Sequence, residues 1–86
     1  MSNFQINPKV LQAEVEGQQM LVLDPDKGEY FELNSTSVFI FKLMQEGNDF
    51  DSIIKQLFQE YECSKTTLIN DLKYVITQFK EANILV

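Results

Sequence analysis

The amino-acid sequence predicts an α+β fold of winged-helix-like order, in which a three-stranded antiparallel sheet is followed by three helices. Upstream of Asn34, apolar residues occur in short runs separated by turn residues, whereas downstream they recur at helical spacing. The change falls within residues 28–37, where an aromatic strand sequence leads directly into Asn-Ser-Thr-Ser, a typical helix start. With 86 residues, of which 44% are hydrophobic, residues 1–86 are expected to form a single domain, and residues 1–8 a loose N-terminal arm.

Three strands are predicted in the first part of the chain. In the first strand apolar and polar side chains alternate, which predicts one buried face. The residues expected on that face are Leu11, Ala13 and Val15. Gly17 and Gln18 predict a turn, and residues 20–23 are apolar throughout, which predicts a central strand. The sequence Asp-Pro-Asp-Lys-Gly at 24–28 predicts a tight turn into the third strand at 29–33, so the sheet is expected to be an antiparallel meander.

Three helices are predicted after the sheet. Their expected ranges are about 35–46, 50–62 and 65–82. Each follows a residue whose side chain accepts hydrogen bonds from the first free N–H groups of a helix, namely Asn34, Asp49 and Ser64. The first helix is apolar nearly all round, which predicts a central position, and the other two each carry one apolar stripe. Asn83 is expected to end the last helix in a left-handed conformation.

The composition argues against several classes of function. The net charge of −6 disfavours a phosphate backbone as a partner, so nucleic acid is not expected. The chain has no histidine and one cysteine, Cys63, and therefore lacks a nucleophile–base pair and a zinc ligand set, so we expect neither catalysis nor a metal or cofactor. No apolar run approaches the ~18 residues of a membrane span and no signal peptide is evident, so we expect a cytoplasmic protein.

The third predicted strand is expected to form an open edge of the sheet, which an extended peptide joins as an additional strand. The third helix would supply the wall of a groove beside this edge. A helical wheel places four wall residues together, Thr67, Asp71, Tyr74 and Gln78, and Leu72 and Val75 lie beside them. The structural alternatives are that Glu29 and Glu32 serve only to keep the edge soluble, that the apolar wall residues pack in the core, and that the polar ones face solvent.

Several stretches in a fixed order carry a family resemblance. They are Leu21-Val22-Leu23-Asp24, the sequence Gly-Glu-Tyr-Phe-Glu-Leu-Asn at 28–34, Ile40-Phe41, Gly47, Ile53, Leu57, Tyr61, Asp71 and Glu81-Ala82-Asn83-Ile84-Leu85. This ordered set resembles the PqqD-like family, the RiPP recognition elements, over nearly the whole chain from about residue 10. The family usually has glycine at the position of Asn83, and asparagine tolerates the same left-handed conformation.

The resemblance implies binding of the leader segment of a ribosomally synthesised precursor peptide, as an added antiparallel strand between the third strand and the third helix. The implied contact residues are Tyr30, Phe31, Glu32, Leu33, Thr67, Asp71, Leu72, Tyr74 and Val75. The resemblance further implies that a free-standing domain presents the precursor to a partner enzyme. That partner is a leader peptidase in lasso-peptide pathways and a radical SAM enzyme in pyrroloquinoline quinone and related pathways, and we favour the lasso type.

Two other functions remain as alternatives. A winged-helix DNA-binding regulator would need exposed Lys or Arg near the start of its recognition helix, where this chain offers only Lys65 and has no arginine. A carrier protein modified at Ser52 would be helical from its start, which the predicted strands contradict. A sheet edge left open also allows pairing with a second copy, so a homodimer is a further expectation.

Overall fold

The computed structural model describes residues 4–15 and 19–86 and has the predicted order of elements, three strands followed by three helices. The elements are β1 (Leu11–Val15), β2 (Gln19–Asp24), β3 (Glu29–Leu33), α1 (Ser35–Gln45), α2 (Phe50–Glu60) and α3 (Lys65–Glu81). The predicted α+β fold is therefore confirmed. The turn expected at Gly17 and Gln18 lies outside the described residues.

The sheet is antiparallel with the order β1-β2-β3, so β2 is the central strand, as its apolar sequence predicts. Met20, Val22 and Asp24 of β2 are buried on the face that the helices cover. Val22 pairs with Phe31 and Met20 pairs with Leu33, so the alternate residues of β3 share this inner face. Both edges of the sheet are consequently formed by five-residue strands, β1 and β3.

The predicted buried face of β1 is wrong, because all five residues of this strand are exposed, Leu11 at 59%. α1 packs against β2 and β3. It contacts β1 through two long side chains: Lys42 lies 3.2 Å from Glu14, and the Gln45 amide donates to Gln12 at 3.0 Å. The polar residues of β1 therefore point towards the helices, and its apolar residues point outwards to solvent.

The predicted helix caps are confirmed. The side chains of Asn34, Asp49 and Ser64 each accept a hydrogen bond from the backbone N–H three residues later. The helices end between one and two residues earlier than expected, and after α2 the backbone at Tyr61 is already extended. Within the described residues, no helix combines the length and apolar character needed to cross a membrane.

The end of α3 is fixed by a left-handed residue, Asn83, with φ of 63° as predicted. The Asn83 N–H donates to the Lys80 carbonyl at 3.2 Å and the Ile84 N–H donates to the Phe79 carbonyl at 2.8 Å, which is the Schellman pattern. This turn directs Ile84 and Leu85 back into the core, where both are buried.

Residues 4–8, expected to belong to a loose arm, are docked instead. Ile6 forms an antiparallel bridge with Leu85, and the Asn7 N–H donates to the Ile84 carbonyl at 2.7 Å. The side chains of Phe4 and Ile6 pack against the core. The burial of these two apolar side chains and the backbone bonds to the C-terminal residues together explain why this part of the arm is held.

Asp24, at the end of β2, is the one charged side chain that is buried among the described residues, with 4% exposure. One carboxylate oxygen accepts from the Asp26 N–H at 3.0 Å, which closes the turn between β2 and β3. The other oxygen accepts from the Asn83 amide nitrogen at 3.3 Å. This contact ties the β2–β3 turn to the C-terminal end of α3.

The double role of Asn83 gives a stability prediction. We expect Asn83→Ala to lower the free energy of unfolding by about 1–2 kcal/mol, because alanine is strained in the left-handed conformation and the bond to Asp24 is lost. Asn83→Gly, the matched control, removes the same bond without the strain and is expected to cost less than about 1 kcal/mol. Urea unfolding of the three proteins provides the measurement. Equal stability of the two variants would contradict the assignment of strain at this position.

Candidate functional site

The outer edge of β3 faces a groove whose opposite wall is α3. β3 is the last strand of the sheet, and β2 is the only described segment whose backbone pairs with it. α3 packs mainly against α2. Unpaired N–H and C=O groups of β3 therefore lie along the groove, available to an extended chain.

The first of two depressions in this groove has a volume of about 270 Å³ and lies beside the first half of β3 and the last turns of α3. Its lining residues are Val22, Glu29, Tyr30, Phe31, Gln78, Glu81 and Ala82. Val22 is buried and Phe31 is half-buried, so the floor is apolar. The carboxylates of Glu29 and Glu81 belong to opposite walls, one to β3 and one to α3.

The second depression, of about 240 Å³, lies beside the start of α1 and the middle of α3. Its lining residues are Asn34, Thr36, Ser37, Asp71, Tyr74, Val75 and Gln78. Because Gln78 lines both depressions, they are two parts of one groove. The start of β3 lies beside the end of α3, and the residue after β3 lies beside the middle of α3, so the two walls run antiparallel.

Gln78 and Tyr74 form a bridge on the helical wall between the two depressions. The Gln78 amide nitrogen donates to the Tyr74 hydroxyl at 3.0 Å, which uses one of the two amide donors and leaves the amide oxygen for another partner. Tyr74 is 64% exposed, so its ring stands clear of the core. The wall thus presents polar atoms at intervals of about one helical turn.

The structure separates the sequence-predicted contact residues into three groups. Tyr30 and Phe31 line the first depression, and Asp71, Tyr74 and Val75 line the second. Leu33 and Leu72 are core residues instead, with 1% and 0% exposure.

The third group consists of Glu32 and Thr67, which line neither depression. Glu32 is exposed and pairs in register with Leu21, on the outward face of the sheet. Thr67 lies in the first turn of α3, where its hydroxyl accepts a hydrogen bond from the Ser64 hydroxyl at 2.9 Å and its N–H is capped by the same oxygen. Each residue therefore belongs to an element that forms a wall of the groove, β3 or α3, but neither contributes to a depression.

Sequence reasoning missed several lining residues. They are Val22, Glu29, Asn34, Thr36, Ser37, Glu81 and Ala82. Gln78, in contrast, lines both depressions, and the helical wheel had grouped it with Asp71 and Tyr74. The contributions of Glu81 and Ala82 depend on how far α3 extends past the start of β3, which no pattern in the sequence indicates.

The groove suits recognition of an extended chain. Three carboxylates, those of Glu29, Asp71 and Glu81, belong to its lining, and no lysine does. Among residues 4–15 and 19–86, no group of three His, Cys, Asp or Glu side chains is arranged to hold a metal ion. An open strand edge, an apolar floor and acidic rims favour a peptide whose backbone pairs with β3.

Comparison with known proteins agrees with this geometry. Residues 19–85 match the family of coenzyme PQQ synthesis protein D (PqqD). A lasso peptide synthetase B1 complexed with the leader peptide is similar over 99% of both chains, with a TM-score of 0.90 and 27% identity. TbiB1 in complex with the TbiA(β) leader peptide covers 94% of this chain and 93% of its own, with a TM-score of 0.88 and 23% identity, which shows the common fold. No curated protein matched the sequence.

Leu72 is buried in the core and Asp71 is exposed in the groove, so substitutions of these two adjacent residues are expected to affect stability differently. Leu72→Ala is expected to lower the free energy of unfolding by about 2–5 kcal/mol, because it leaves a cavity in the core. Asp71→Ala, one residue earlier, removes an exposed side chain and is expected to change it by less than about 0.5 kcal/mol. Urea unfolding measures both. A large loss of stability in Asp71→Ala would show that this carboxylate belongs to the fold rather than to the groove.

Proposed function

The chain belongs to the PqqD family, and from this membership we propose that it is a non-catalytic recognition protein for the leader segment of a ribosomally synthesised precursor peptide. The observation that carries the proposal is the unpaired edge of β3 beside the groove wall of α3. The similar lasso peptide synthetase B1 structure, which is complexed with a leader peptide, supports it.

The leader enters the groove as a fourth strand, antiparallel to β3. The five residues of β3 offer a pairing length of about 17 Å, so about five leader residues pair directly. Their alternate side chains point to opposite faces of the sheet. One set reaches the depressions lined by Phe31 and Val75, and the other set lies on the outward face beside Tyr30 and Glu32.

Backbone pairing and side-chain pockets contribute differently to leader recognition. Main-chain hydrogen bonds supply affinity with little dependence on sequence, and the two depressions select particular side chains. The backbone of α3 is occupied by its own helical hydrogen bonds, so only side chains of this wall bind the far edge of the leader. Asp71 and the Gln78 amide oxygen are the acceptors in position for leader N–H groups, and the three carboxylates of the groove favour basic leader residues.

The chain acts by delivering the bound leader to a partner enzyme. We place it in a lasso-type pathway, where that enzyme is a leader peptidase, because the similar structure with 27% identity is a lasso peptide synthetase B1. A radical SAM enzyme is the partner in the alternative pathway type. Delivery raises the effective concentration of the precursor at the enzyme, which requires no catalytic group in this chain.

Leader binding is tested by titrating the isotope-labelled chain with a synthetic leader of a lasso-peptide precursor from the same organism. We expect micromolar or tighter affinity, with chemical-shift changes in β3 and on the groove face of α3. Tyr74→Ala is expected to weaken binding about tenfold, or about 1.4 kcal/mol, because an exposed aromatic contact is lost. Lys73→Gln, next to it on the far side of α3, is the matched control and should bind as the native chain does.

Shift changes confined to α2, or equal affinity of the two variants, would place the binding surface elsewhere. Saturable binding of duplex DNA that weakens with added salt, without leader binding, would instead support the DNA-binding alternative.

Delivery is tested by measuring leader removal by a leader peptidase from the same organism, with and without this chain. We expect the native chain to increase the cleavage rate, and Tyr74→Ala to lose most of that increase at low precursor concentration and regain it at saturating concentration. Lys73→Gln should retain it throughout. Cleavage that proceeds equally fast without the chain would remove the peptidase as its partner while leaving leader binding intact.

A further inference from the structure

We infer that β1 is an interface for a second copy of the chain, in which two β1 strands pair antiparallel across a twofold axis at Ala13. This inference does not rest on the leader-binding function. β1 is the other edge of the sheet, and β2 is the only segment of the described chain whose backbone pairs with it. All five of its residues are exposed.

The edge of β1 lacks the features that usually prevent strand pairing. Its ladder with β2 is regular over five residue pairs, without a bulge, and its sequence Leu-Gln-Ala-Glu-Val contains neither proline nor lysine. Its one charged residue, Glu14, is drawn to the inner face by Lys42 at 3.2 Å. Gln12 is held on the same face by Gln45. The outward face of the strand therefore remains uncharged.

The sequence of β1 is complementary to itself when Ala13 faces its own copy. Leu11 then lies opposite Val15 of the second copy, and Gln12 lies opposite Glu14, so apolar residues meet on one face and an amide meets a carboxylate on the other. All five residues of each strand are paired. A twofold axis at Glu14 would instead place two carboxylates directly opposite each other, which is unfavourable.

The surroundings of β1 leave room for a second copy. α1 packs against β2 and β3, so this helix is set back from the β1 edge. The outward side chains of Leu21 and Leu23 are half-buried and continue the apolar face across β2. Pairing would extend this face into a six-stranded sheet with a β3 edge at each end.

The β3 edge is less suited to a second copy. Self-pairing there centred on Phe31 would place Tyr30 opposite Glu32 and Glu29 opposite Leu33, which mixes charged and apolar residues. α3 also stands beside this edge and forms the groove wall. Of the two edges, β1 is therefore the one that fits an identical strand, and β3 remains free.

The dimer is tested by sedimentation of the full chain over increasing concentration. Two short strands bury less than the ~1,200 Å² of standard stable interfaces, so we expect a weak, concentration-dependent dimer. Ala13→Lys brings two like charges together at the axis and should leave a monomer at every concentration. Glu32→Lys is the control: it also introduces a lysine on the outward face of the sheet, but on β3, and this variant should dimerise as the native chain does.

Cross-linking tests the register. In a Cys63→Ser background, the Ala13→Cys variant places two thiols on facing residues, whose Cα atoms would lie about 4.5–5.5 Å apart and within reach of a disulfide. The Gln12→Cys variant places them more than about 7 Å apart, out of reach. We expect rapid oxidation to a covalent dimer only for Ala13→Cys.

A native chain that is monomeric at all concentrations, or equal cross-linking at the two positions, would overturn the inference.

Discussion

The open edge of β3 depends on how the last helix is held beside the sheet, and the contact between Asp24 and Asn83 is central to this arrangement. A buried carboxylate is costly unless its oxygens are bonded, and here one oxygen closes the β2–β3 turn while the other binds the residue that ends α3. The contact joins the two walls of the groove at one end. The first depression lies between β3 and the last turns of α3, next to this contact, and the β3 edge is unpaired there.

The order and type of the elements could be predicted because local signals agreed with one another. Turn residues, caps and a change of apolar period at Asn34 all specify the same six elements, and the structure places each within about two residues. The inner face of β1 could not be predicted this way. Alternation shows that the faces of a strand differ, but which face is covered depends on where the helices pack, and α1 covers β2 and β3 instead.

The groove was only partly accessible to sequence reasoning for a similar reason. A helical wheel orders residues around α3, so it identified Asp71, Tyr74 and Gln78, and all three line the groove. The wheel does not show which side of α3 faces the core, and Leu72, which was predicted to contact the peptide, is fully buried in the core. The docked segment at Phe4 and Ile6 was missed because its partners are the last residues of the chain, a contact between positions that no local pattern connects.

The bridge between Ile6 and Leu85 has a consequence for protein engineering. It places the two ends of the described chain side by side, on backbone bonds such as that from the Val86 N–H to the Gln5 carbonyl at 3.0 Å. A short linker can therefore join the ends, with new termini opened at the exposed residues 62 and 63 between α2 and α3, as in a circular permutant. By the same geometry, the whole domain can be inserted into a surface loop of an unrelated host protein.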